Sequence, residues 1–331
     1  MAAETFAIRI PDAVLADLAH RLDATRWPDE LENVGWELGS NLAYMRTLAE
    51  YWRHGYDWRH QEAMLNQLPH FRIALDGLQI HFIHARGKGP APLPLIVSHG
   101  WPGSFVEMLK LIPLLTDPAA HGGKAEDAFD VIVPSLPGYG FSDRPRERGM
   151  DPSKIAALWA RLMQELGYQR FGAQGGDWGS IISIALGLNH AERMIGVHLN
   201  FIAGRFLFGG TLNVQAEDEI ALAHLKQLRA WWDEEGGYNH EQATRPQTLA
   251  YGLNDSPVGL AAWIVEKFRA WSDCVGDVES IFARDQLLTN IMLYWVTGTA
   301  PSSARLYYES RQRPLSLSRS NRVEAPVSRA E

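Results

Sequence analysis

Between residues 70 and 200 the chain alternates short apolar runs with amphipathic stretches, and this alternation restricts the fold more than any other feature. FRIAL and LQIHFIHA flank the pair Asp76-Gly77, the residue types of a tight hairpin turn. LPLIVSHG is a continuous apolar run ending in glycine, as expected of a strand covered on both faces. A helix in FVEMLKLIPLL, a strand in FDVIVPSL and a helix in PSKIAALWARLMQELG come next. The strand FGAQG, the helix SIISIALGLNH and the strand MIGVHLN complete the series. A hairpin followed by strands and helices in alternation predicts an α/β architecture, a mostly parallel sheet with helices on both faces.

The flanking segments read differently. Residues 1–69 hold three helical patterns and no expected strand, so they form a helical meander that wraps around another part of the molecule. The first pattern, PDAVLADLAHRLDATRW, carries Val14, Leu15, Leu18 and Leu22 at helical spacing. The others are NLAYMRTLAEYWRHGYDW and WRHQEAMLNQL. Residues 70–203 form the sheet unit. From 204 to 310 only helical patterns recur, among them EDEIALAHLKQLRAWWDEE, LAAWIVEKFRAW and RDQLLTNIMLYWVTG, which reads as an all-helical lid. Residues 311–331 are rich in Arg and Ser and read as a disordered tail, or as the start of a post-lid strand in VEAPV.

Composition removes several classes of function. With 46% hydrophobic and 21% charged residues, the chain can bury a sizeable core. A formal charge of −8 spread along the chain offers no basic face, so no nucleic-acid partner is expected. Cys274 is the single cysteine; no disulfide can form within the chain, which fits a reducing compartment. The start has no signal pattern and no run is apolar for long enough to span a bilayer, so a soluble cytoplasmic chain without a membrane partner is expected. Nothing in the composition decides whether it forms a homodimer. No histidine pair at ligand spacing and no phosphate-loop pattern occurs, so neither a metal nor a cofactor is expected.

The chemistry is concentrated in GGDWGS, residues 175–180. Small residues flank Asp177 in the small-x-nucleophile-x-small spacing of a sharp strand-to-helix turn, where hydrolases of the G-x-S-x-G type carry serine. Side chains at Gly175 and Gly179 would clash across so strained a turn. The bland alternative is a glycine-rich helix start with Asp177 as N-cap. A carboxylate nucleophile suits attack on an sp3 carbon that carries a leaving oxygen or halide, and it gives an ester that water must then cleave. The ionised form needs N–H donors: Trp178 follows the nucleophile, and Trp101 in SHGWPGSF lies in the loop that supplies the second half of an oxyanion hole.

SHGWPGSF, LPGYGFSD and GGDWGS, in this order, resemble the epoxide hydrolases of the α/β-hydrolase superfamily. IRIP, RWPDE, YWRHGYDWRHQEAMLNQLPHF and DGLQIHFIH are similar to the amino-terminal meander of the microsomal-type branch, as is the lid stretch QTLAYGLNDSPVGLAAWIVEKFRAW. The resemblance covers roughly residues 6–310. It implies that Asp177 opens a small hydrophobic epoxide to a hydroxyalkyl ester, which water cleaves to a vicinal diol. It also implies two lid tyrosines that hydrogen-bond the epoxide oxygen. These fall on Tyr238 in EEGGYNHEQ and on Tyr307 in SSARLYYES, with Tyr308 the adjacent register. A phenol can polarise the ring oxygen and then protonate the alkoxide. A haloalkane dehalogenase-like hydrolase is the competing enzyme, with Trp101 and Trp178 holding a halide; the meander and the tyrosine pair favour the epoxide.

Ester hydrolysis in this fold calls for a histidine beyond the lid, oriented by an acid. The last histidine here is His240, beside Tyr238, while His190 and His198 precede the lid. The resemblance thus leads to an expectation that the final strands, helices and histidine of the family are missing and that turnover is impaired. A catalytically incomplete fragment or a ligand-binding protein is the non-enzyme alternative.

Overall fold

A computed structural model of the chain describes residues 2–201, 219–315 and 322–329. The opening contains β1 (Glu4–Thr5), α1 (Asp12–Asp23), α2 (Leu42–His54) and α3 (Trp58–Leu65). The sheet unit follows with β2 (His70–Leu75), β3 (Leu78–Ala85), β4 (Leu93–Ser98), α4 (Leu111–Thr116) and β5 (Phe129–Pro134). It continues through α5 (Pro152–Glu165), β6 (Phe171–Gly175), α6 (Trp178–Asn189) and β7 (Met194–Leu199). Among the described residues, eight strands lie in the order β1-β2-β3-β5-β4-β6-β7-β8, with β8 at Val327–Arg329. Pairing is antiparallel from β1 to β5 and parallel across β5, β4, β6, β7 and β8. Ile96 of the central β4 faces Ile132 on one side and Ala173 on the other, all three buried, as a strand covered on both faces requires.

The hairpin forms as expected, with Asp76 and Gly77 both at positive φ in the turn between β2 and β3. Two expectations fail in instructive ways. The opening does contribute to the sheet: Glu4 pairs with Arg72 and Thr5 with Phe71, and the Phe6 N–H donates to the His70 carbonyl at 2.9 Å. A two-residue strand is too short to show any alternation. The helix expected through FVEMLKLIPLL is broken into a 3-10 turn, Phe105–Met108, and the short α4. Pro113 is the cause, because it has no N–H to donate and is tolerated only in a first turn; in a helix begun at Phe105 it would lie in the interior.

The lid comprises α7 (Glu219–Glu235), α8 (Gly237–Thr244), α9 (Pro246–Leu253), α10 (Pro257–Ala270), α11 (Arg284–Thr297) and α12 (Ala300–Gln312), with no strand among the described residues of this segment. The first residues of the expected lid, 204–218, lie outside those described. What the meander wraps is this lid. Arg21 pairs with Asp255 at 2.7 Å, the Tyr51 hydroxyl donates to Asp285 at 2.7 Å, and the buried Trp52 indole N–H points at the Met292 sulfur at 3.3 Å. The VEAPV stretch is extended only at its end. Pro326 has no N–H for the ladder, but its carbonyl accepts the Val197 N–H at 2.8 Å, and β8 starts one residue later. No described helix is long and apolar enough to cross a membrane.

Candidate active site

The parallel strands carry their carboxyl ends to one edge of the sheet, and the turn from β6 into α6 projects Asp177 there. Asp177 has φ 49° and ψ −126°, a conformation that L residues rarely adopt. Close packing enforces it. A Cβ on Gly175 would lie 2.2 Å from the Gly179 carbonyl carbon, and one on Gly179 would lie 2.0 Å from the Ser98 carbonyl oxygen. Both neighbours are backbone and cannot move aside, so the two glycines singled out in the sequence are required. Ser180 Oγ donates to the Gly175 carbonyl at 2.8 Å and ties the turn to its own helix.

The Trp101 N–H donates to Asp177 Oδ1 at 2.8 Å, and the Trp178 N–H is the second backbone donor. The approach of the two loops depends on Gly100, where a Cβ would fall 2.1 Å from Asp177 Oδ1. Burial pushes the Asp177 carboxyl up to about 6, with the Trp101 and Trp178 N–H groups acting the other way. At neutral pH it is ionised but weakly solvated, which suits a nucleophile.

Asp177 opens into a cavity of about 790 Å³ between sheet and lid, lined also by Trp101, Tyr238, Trp271 and Lys267. The Tyr238 ring stacks on Trp101, with centroids 5.1 Å apart and planes at 6°, and meets Trp271 edge-on at 5.0 Å. Buried Tyr307 stands edge-on against Trp178 at 4.8 Å. The Tyr307 and Tyr238 rings are 5.8 Å apart and meet edge-on at 83°. Burial, followed by the charge of Asp177, keeps the Tyr238 phenol above its ordinary range; burial and then the neighbouring Tyr238 do the same for Tyr307. Both therefore carry their protons and can donate. The adjacent Tyr308 turns away, under the Arg148 guanidinium at 5.1 Å from its ring. Asp177, Trp101, Trp178, Tyr238 and Tyr307 thus meet in one place.

The histidines do not. His240 is exposed on the outer side of α8, His190 caps the far end of α6, and His198 lies in β7 opposite Ser328. His99 does line the cavity, but its ring is committed. Nδ1–H donates to the Gly100 carbonyl at 3.0 Å and Nε2 accepts the Leu136 N–H at 3.2 Å, so no lone pair is left for a proton.

Several contributors carry no signal in the sequence. Asn290 and Tyr294 of α11 grip the loop that presents Trp101: Asn290 Nδ2 donates to the Pro102 carbonyl at 2.8 Å, and the Tyr294 hydroxyl donates to Gly103 at 2.6 Å. Glu107 points into the cavity from the 3-10 turn. A helical periodicity gives such positions only as core or surface, and the loop they serve is more than 180 residues away in sequence.

Sheet, elbow and lid define an α/β-hydrolase with a carboxylate at the nucleophile position, and comparison with known proteins narrows this further. The family model "Epoxide hydrolase N terminus" matches residues 3–108, and that of the "alpha/beta hydrolase fold" matches residues 94–260. A putative epoxide hydrolase of Stigmatella aurantiaca (strain DW4/3-1) is 52% identical over 92% of this chain and 69% of its own length. Epoxide hydrolase 1 of Oryctolagus cuniculus is 40% identical over 92% of this chain and 72% of its own. The crystal structure of juvenile hormone epoxide hydrolase from the silkworm Bombyx mori superposes with a TM-score of 0.82 at 33% identity, covering 99% of this chain and 80% of that one. The chain belongs to the epoxide hydrolase family, in its microsomal-type branch, and its reaction class is hydrolysis of an epoxide. The dehalogenase alternative is not favoured by any of these relatives.

Proposed function

We propose that Asp177 is the nucleophile, that the Trp101 and Trp178 N–H groups form its oxyanion hole, and that Tyr238 and Tyr307 are the acid pair. The observation that carries this reading is a backbone-held carboxylate and the protonated phenol of Tyr238 on one cavity, with the protonated Tyr307 ring 5.8 Å behind that of Tyr238. One Asp177 oxygen attacks an epoxide carbon, the C–O bond of the ring breaks, and a tyrosine proton passes to the ring oxygen as its charge develops. The product is a hydroxyalkyl ester on Asp177. Water then attacks the ester carbonyl, whose developing negative charge faces the same two N–H groups.

The aromatic lining of Trp101, Tyr238 and Trp271 supports a small hydrophobic epoxide as substrate. The chain is proposed to work in the cytoplasm without a cofactor. Substituting Tyr307→Phe tests the acid pair. Loss of one donor is expected to slow ester formation about 10²-fold or more, measured by stopped-flow quenching of tryptophan fluorescence with an aryl epoxide. Tyr308→Phe is expected to leave the rate nearly unchanged, and the opposite pattern would move the acid to Tyr308.

A further inference from the structure

Lys267 of α10 is buried in the cavity wall. Two carboxylates hold its ammonium, Glu235 at the end of α7 at 2.9 Å and the adjacent Glu266 at 2.7 Å. A buried ion pair adds little net stability, because desolvation offsets most of the attraction, and an apolar side chain could fill the same space. The ammonium stands over the Tyr238 ring, 5.3 Å from its centroid, and over the Trp271 ring at 5.5 Å. Both distances are within cation–π reach. Glu235 Oε2 accepts the Trp271 indole N–H at 3.2 Å as well as the ammonium, and Trp271 in turn meets Tyr238 edge-on at 5.0 Å. Three groups therefore fix the Tyr238 ring: Trp101 stacked on it, Trp271 at its edge and the Lys267 ammonium over it. Tyr307 is held differently. Its ring packs edge-on against Trp178 at 4.8 Å and Trp101 at 5.9 Å, and among the described residues no cation stands over it.

We propose that Lys267 is a positioning residue for ring opening: it holds the Tyr238 ring and makes Tyr238, of the two phenols, the one that gives up its proton. The proposal rests on Asp177 being the nucleophile and the tyrosines the acid pair. As an Asp177 oxygen bonds to an epoxide carbon, the ring C–O bond breaks and its electron pair goes to the oxygen. The Tyr238 proton moves to that oxygen. The negative charge of the site thereby passes from Asp177 to the phenol oxygen and, by resonance, into the ring under the ammonium. An ammonium attracts a ring that carries this charge more strongly than a neutral one, so Lys267 favours the transition state over the bound substrate. Glu235 acts the other way, because its charge favours the protonated phenol. Tyr307 has no such cation and serves as a hydrogen-bond donor to the same oxygen.

The test is a rapid acid quench of the 331-residue chain with styrene oxide at rising concentrations, read as intact mass. The concentration series separates the limiting rate of ester formation from affinity. Lys267→Met keeps a side chain of similar length without its charge, and the limiting rate is expected to fall about tenfold with affinity little changed. Lys267→Arg keeps a cation and is expected to retain most of the rate. Glu235→Gln still offers the Trp271 N–H an acceptor and leaves Lys267 paired with Glu266, and it is expected to raise the limiting rate. The decisive comparison repeats Lys267→Met in two backgrounds. With Tyr307→Phe the fall is expected to persist. With Tyr238→Phe it is expected to vanish, because the phenol through which Lys267 acts is gone. An equal fall in both backgrounds, an unchanged rate in Lys267→Met, or a slower rate in Glu235→Gln overturns the proposal. Should Lys267→Met fail to fold, Glu235→Gln decides alone: a faster limiting rate supports Lys267, and an equal or slower one defeats it. Absence of any adduct on the unaltered chain, or an unchanged rate in Tyr238→Phe, defeats the nucleophile or acid reading first and Lys267 with it.

Discussion

Asp177 combines a left-handed backbone with a carboxyl pushed up to about 6 by burial, and both are local costs that a structural residue would not carry. The signs follow directly. In the proposed reaction only the ionised form attacks, so ester formation is expected to be level above about pH 7 and to fall tenfold per unit below about pH 6, as read from the pH profile of the single-turnover rate. A raised carboxyl value in the folded state means that folding disfavours ionisation. Replacing Asp177 by Asn should therefore raise stability on the order of 2 kcal/mol at neutral pH. The gain should shrink below about pH 6 and vanish below about pH 3, where folded and unfolded chains are both protonated at this position; urea melts at three pH values check it. A less stable Asn variant at pH 7 would contradict the assigned environment. At this scale the sequence was informative wherever backbone geometry dictates residue type. Gly175, Asp177 and Gly179 announce a turn that no other residues fit. Asn290 and Tyr294 are ordinary types at ordinary helical spacings, and only three-dimensional proximity gives them a role.

The elements differ in how far their sequences determine them. The hairpin and the parallel strands β4 to β7 were legible because hairpin chemistry and continuous apolar runs act within a few residues. The two-residue β1 and the eight-residue helices α8 and α9 are too short to establish a period, and one proline divided what read as a single helix after β4. Helix α11 shows how an element far along the chain governs the site. Asn290 satisfies the Pro102 carbonyl and accepts from Ser104 Oγ at 2.8 Å, while Tyr294 holds Gly103, so the Trp101 N–H is aimed by lid residues. Asn290→Ala leaves a buried carbonyl and hydroxyl without their partner, at a cost of about 1–3 kcal/mol. Because the misplaced donor matters most as charge develops on the Asp177 ester, kcat should fall more than KM rises. A rise in KM alone would mean that α11 shapes the pocket and leaves the oxyanion loop alone.

For the molecule as a whole, the meander and the lid behave as one layer over the sheet edge. The sequence showed both segments as helical but gave no sign that each is the other's packing partner, because complementarity between two amphipathic surfaces 222 to 240 residues apart leaves no local pattern. Trp52 is buried and its indole meets Met292 of α11. Trp52→Ala should cost about 3–5 kcal/mol and loosen α10 and α11 together, seen as faster amide exchange in both helices with the sheet strands unaffected. Uniform loosening of the whole molecule would mean that the meander supports the sheet directly.

The central claim is that Asp177 becomes covalently bonded to the opened epoxide, and the most direct measurement is peptide mass after an acid quench with styrene oxide. Trypsin cleavage after Arg170 and Arg193 isolates residues 171–193, which contain Asp177. The account predicts that this peptide gains the mass of one intact epoxide in the unaltered chain and gains nothing in Asp177→Asn. An adduct on another peptide, or diol production with no labelled peptide at any time, would contradict it.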